Sequence, residues 1–107
     1  LSPFDPNAFY YDTALMVPHL MLGHYAEVVE MGRRAVALNP TLSSTYKLLL
    51  AALGHLGAAE EAEAVRERLY LLEPGYSLTQ AAARSTFRRA EDDALFLEGL
   101  RLAGLPA

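Results

Sequence analysis

Apolar residues recur at helical intervals along almost the whole chain. Tyr25, Val28, Gly32 and Ala35 step by three, four and three, and Ala62, Val65, Leu69 and Leu72 repeat the rhythm. Phe96, Leu97, Leu100 and Ala103 draw a further stripe near the carboxyl end. Turn residues punctuate these stripes. Gly23 and Gly57 each close a helix, because glycine takes the left-handed backbone of a helix end without steric cost. Asn39-Pro40 and Glu73-Pro74 close the helices that follow, since proline lacks the amide hydrogen and disfavours helix in the residue before it. Ser43 or Thr41 is a candidate cap for the next helix, and Ser77 and Gln80 have the spacing of a capping box. The pattern predicts helices over about 8–22, 25–38, 43–56, 59–72, 78–86 and 92–103. Pro18 falls inside the first, where it removes the bond to the Ala14 carbonyl at a cost of about 3 kcal/mol or more and should kink the helix.

The stripes belong to a larger repeat. Pro6, Pro40 and Pro74 recur at intervals of 34 residues, and the same shift lays Leu15 on Leu49, Gly23 on Gly57 and Leu38 on Leu72. Two full units, 9–42 and 43–76, are followed by a degenerate pair over 77–107. Terminal units shield the core on one side only, and Arg88, Arg89, Glu91, Asp92 and Asp93 give this last pair a charged outer face suited to a cap.

Helix pairs of 34 residues, with a small residue at the tight turn and a proline at the exit, resemble the tetratricopeptide repeat family. Tyr46 stands at the early aromatic position of the second unit, whereas the first unit has Asp12 there. Met16 and Leu50 replace the small residue that follows the family's leucine. The resemblance implies an all-α, right-handed superhelical array of antiparallel helix pairs in one domain. It also implies a concave groove lined by the first helix of each unit. The matching positions are Tyr10, Thr13, Val17 and Met21, then Ser44, Lys47, Ala51 and His55, then Leu78, Ala81 and Ser85. Peptide-binding members hold a carboxylate with a lysine and an asparagine on this face. Lys47 matches the lysine, but Ala51 and Val17 stand where the asparagine would be, so a mildly apolar trough with one cation is expected, suited to a peptide or an amphipathic helix. The opening Leu1-Ser2-Pro3-Phe4-Asp5-Pro6 and the run from Phe87 to Pro106 are also similar to the tail of bacterial signalling regulators. In those proteins such repeats follow a class III adenylate or guanylate cyclase domain or a winged-helix DNA-binding domain. On this likeness the chain is a fragment from the carboxyl end of a longer regulator.

Composition narrows the partners. A formal net charge of −4 over 107 residues leaves no excess of cations for phosphates, which argues against direct nucleic-acid binding. No cysteine is present, in keeping with a reducing compartment, and cytoplasm is the expected location. The longest apolar stretch, Leu48 to Ala59, is broken by His55 and two glycines and is too short for a bilayer, so no membrane partner is expected. His19, His24 and His55 lack metal-ligand spacing, and Glu60, Glu61 and Glu63 sit in a helix's first turn, where acids complement the macrodipole. No glycine-rich phosphate loop or Ser-His-Asp spacing appears. No catalytic residue, metal or cofactor is therefore expected. The expected partner is a protein, a peptide or another domain of the parent chain. The alternative is a structural role, extending or capping the parent's repeats or forming a homodimer through the edge around Phe4, Phe9, Tyr10 and Tyr11.

Overall fold

A computed structural model describes residues 8–85 and 87–107, with side chains from Thr13 onward. The described residues form six α-helices and no strand: α1 (Ala8–Met21), α2 (Tyr25–Leu38), α3 (Ser43–Leu56), α4 (Ala59–Leu72), α5 (Leu78–Ala83) and α6 (Ala90–Leu102). The first four coincide closely with the stretches expected from the apolar stripes. Gly23 and Gly57 adopt φ of +80° and +73°, the left-handed conformation that folds α2 back on α1 and α4 back on α3. The backbone amide of Asn39 bonds the Ala35 carbonyl and that of Glu73 bonds Leu69, so each helix before a proline keeps its last turn closed. α1 runs through Pro18, which is exposed, and the ladder resumes with Leu22 N–H on the Pro18 carbonyl at 3.1 Å.

Two start and stop signals differ from expectation. Neither Ser43 nor Thr41 caps α3: the cap position is Leu42, and no side chain accepts there. Thr41 instead donates its hydroxyl to Asn39 Oδ1 at 3.1 Å, a local contact that competes with capping. α5 ends at Ala83, short of residue 86, and α6 begins at Ala90. The Ser77 cap is present, its Oγ accepting from Gln80 N–H at 3.2 Å. Because α5 has only six residues, this bond matters to it more than to a long helix. Ser77→Ala should cost about 1 kcal/mol, read as a lower urea midpoint with unchanged m-value. An unchanged midpoint would show that packing on α6 alone holds α5.

α3 is the hub. Nine of its fourteen residues are buried, on every face rather than along one stripe. α2, α4 and α6 pack around it, and α1 reaches it through Met16 and the Thr13–Thr45 hydroxyl pair at 3.1 Å. That pair satisfies Thr45, which is wholly buried. Tyr46 is also buried and donates its hydroxyl to the Pro40 carbonyl at 2.9 Å.

The closing helices do not simply add a third hairpin on the outer end. α5 packs on α6, while α6 lies along α3 and touches α1; α4 packs on α3 and is joined to α2 by the Arg33–Glu61 pair. Small residues allow this. Gly54 and Gly99 face each other so closely that a Cβ on Gly54 would stand 1.9 Å from the Gly99 carbonyl oxygen. His55 donates Nε2–H to the Leu95 carbonyl at 2.7 Å, and Arg66 of α4 donates to the Ala103 carbonyl at 2.6 Å. Leu78 N–H on the Pro106 carbonyl at 2.8 Å ties the end of the chain to the start of α5.

Candidate functional site

The expected trough divides into an open part and a covered part. Val17 on α1 and Ser44 and Lys47 on α3 line a cleft of about 610 Å³, joined by Ala81 and Ser85 from α5 and its exit. One helical turn further along α3, Ala51 is fully buried and its carbonyl lies against Gly99, while His55 is held by Leu95 and stacked on Tyr25 with ring centroids 4.6 Å apart. α6 therefore occupies the middle of the row that the repeat-family resemblance assigns to a ligand. Thr13 is engaged with Thr45, and Met21 and Leu78 are partly buried against the core. Tyr10, like Phe4, Phe9 and Tyr11 of the expected dimer edge, lies outside the residues whose side chains are described.

The cleft has apolar walls and a basic rim. Leu48, Tyr76, Phe87 and Phe96 form much of the wall, and the Phe87 and Phe96 rings meet at 5.2 Å in a tilted arrangement. The rim carries Lys47, Arg84, Arg88 and Arg89, with Asp92 as the acid among the lining residues. Two of these cations are fixed from behind. Glu73, the residue before the exit proline of α4, takes Lys47 on Oε2 and Arg84 on Oε1, each at 2.5 Å. Lys47 Nζ also stands 4.5 Å over the Tyr76 ring, with the Arg84 guanidinium at 6.0 Å. The Lys47 ammonium, helped by Arg84 and Ser43 against the opposing effect of burial, lowers the Glu73 carboxyl to about 2. Burial, and next the Glu73 charge, push the Tyr76 phenol up to about 12, so it stays a neutral donor at physiological pH.

Arg89 is paired with Glu91. Arg88 is exposed and makes no ion pair among the described residues. Sequence reasoning placed Lys47 at this site as a lone cation. It does not reach Tyr76, Arg84 or Phe87, and it assigns Arg88 and Arg89 to the charged outer face of a cap. The Arg88-Arg89 pair beside Phe87 was the signal available, but its position over α3 depends on the path of the α5–α6 connection.

The remaining polar clusters are structural in their geometry. His19 and His24 bond through Nδ1 at 3.0 Å across the α1–α2 turn. Glu61 receives a bidentate Arg33 at 2.9 and 2.5 Å, joining α4 to α2. Among the described residues no group of three histidine, aspartate or glutamate side chains could hold a metal ion, and no helix is long and apolar enough to cross a membrane. No family model, curated protein or solved structure matches the chain.

Proposed function

We propose that this chain is a non-catalytic, tetratricopeptide-like interaction module of a larger regulatory protein and that it binds a peptide segment in the cleft between α1, α3 and α5. The observation that carries this reading is the cleft itself. Its volume of about 610 Å³ falls within the 300–1,000 Å³ usual for binding sites, and apolar walls with a few fixed polar groups are the usual lining. The 34-residue proline period and the helix pairs it delimits support the repeat assignment. The absence of cysteine supports a reducing compartment such as cytoplasm.

Lys47 is a poor probe of this reading, because its reversal to glutamate would set two carboxylates together at Glu73 and confuse binding with stability. Ser44 is better: it is exposed and lines the cleft. Ser44→Trp should fill the opening without touching the core. Peptides selected from a random display library on the wild-type chain should lose at least tenfold in affinity for the variant, while its helical circular dichroism is unchanged. Selection of nothing, or of peptides that bind the variant equally well, would overturn the reading.

A further inference from the structure

We propose that the occupant of this cleft is a short acidic segment of a protein partner, which sets a carboxylate on Arg88 and an apolar side chain against the Phe87 ring. The inference rests on the peptide-binding reading above and adds the chemistry of the ligand. The chain as a whole is acidic, with a net charge of −4, yet four of its nine lysines and arginines line this one cleft. Glu73 answers two of them and Glu91 a third; Asp92 also lines the cleft, but among the described residues no acid forms an ion pair with Arg88 at the mouth. Part of the arrangement is preorganised. Lys47 and Arg84 are held by one carboxylate and by the face of Tyr76, so little side-chain freedom is lost when a second carboxylate approaches their remaining donors. A guanidinium presents several donors in a planar fork, and Arg88 can meet a carboxylate bidentately.

The walls dictate the rest of the ligand. A simple anion would leave the partly exposed Phe87 ring in contact with water, whereas a leucine or phenylalanine beside the acid would cover it. A polyanionic nucleic acid is disfavoured, since only one of the four cations is unpaired and the overall charge of the chain repels phosphates.

The test compares three labelled peptides on the whole chain by fluorescence anisotropy. In the first, glutamates alternate with leucine and phenylalanine; in the second, glutamine replaces glutamate; in the third, lysine does. The acidic peptide should bind about tenfold more tightly than its glutamine counterpart, and more weakly as salt is raised; the lysine peptide should not bind. Arg88→Glu should lower the affinity for the acidic peptide about tenfold and abolish its advantage over the glutamine peptide. Arg88 is exposed and makes no ion pair among the described residues, so the variant should melt like the wild type. Equal binding of the acidic and glutamine peptides, blocked by Ser44→Trp, would overturn the acidic preference while the cleft reading stands. No binding by any peptide, or binding indifferent to Ser44→Trp, would overturn both.

Discussion

Replacing Gly54 with alanine should lower the stability of the fold by about 3 kcal/mol, although alanine is the better helix former by roughly 1 kcal/mol. The added Cβ would lie 1.9 Å from the Gly99 carbonyl oxygen, 2.9 Å from its carbon and 2.8 Å from the Ala103 amide nitrogen. All three are backbone atoms, so no rotamer change relieves the overlap and α6 must move away from α3. That movement would stretch the His55 bond to Leu95 and loosen Leu100 and Phe96, both buried in this interface. Gly32→Ala is the control. Its Cβ would meet Leu49 and Met16 at 3.0–3.1 Å, but these are side-chain atoms, and Met16 ends in a flexible thioether, so a loss of about 1 kcal/mol or less is expected. Urea denaturation of the two variants and the wild type decides the matter. Equal stability of Gly54→Ala and wild type would mean that α6 does not approach α3 as described. The size of the effect also bears on function, because α6 is the element that closes half of the groove row.

How far the sequence reaches can be seen at that same interface. Gly23 and Gly57 were legible because a glycine between two apolar stripes has a local reason to be there, and both take positive φ. Gly54 and Gly99 sit inside helices, where a glycine has no local reason; their role is a contact across 45 positions that only the docking of α6 reveals. The likeness to the repeat family places Val17, Ser44 and Lys47 along one groove, and they do border one cleft. Ala51 and His55 belong to the same row but lie under α6. Local spacing shows which face of α3 a residue occupies; which helix covers that face depends on the six-residue length of α5 and the turn after it. The Glu73 pairs are legible in neither way. Lys47 is 26 residues before Glu73 and Arg84 is 11 after it, so no helical spacing brings them together.

Acid should expose what that carboxylate contributes. Glu73 titrates near 2 in the folded chain instead of the usual 4.5, so the unfolded chain binds its proton first as pH falls. A lowered folded value means that the stabilisation is fully present above about pH 4.5 and is lost as pH falls through the folded value near 2. At about 1.4 kcal/mol per unit the shift corresponds to an upper bound of roughly 3.5 kcal/mol, and with the Glu73 side chain 22% exposed and Arg84 54% exposed, solvent screening reduces the expected contribution to about 1–2 kcal/mol. Glu61 and Glu98 are also lowered by their arginine partners, so the wild-type acid slope alone is not diagnostic. Glu73→Gln isolates it. The variant should be about 1–2 kcal/mol less stable at neutral pH, and the gap should narrow toward zero between pH 4.5 and about 2, measured by urea midpoints at a series of pH values. Parallel wild-type and variant curves across that window would show that the Lys47–Glu73–Arg84 cluster adds nothing to folding. A narrowing gap, with weaker binding of the acidic peptide by the variant at neutral pH, would show that one carboxylate both supports the end of α4 and holds the two rim cations in place.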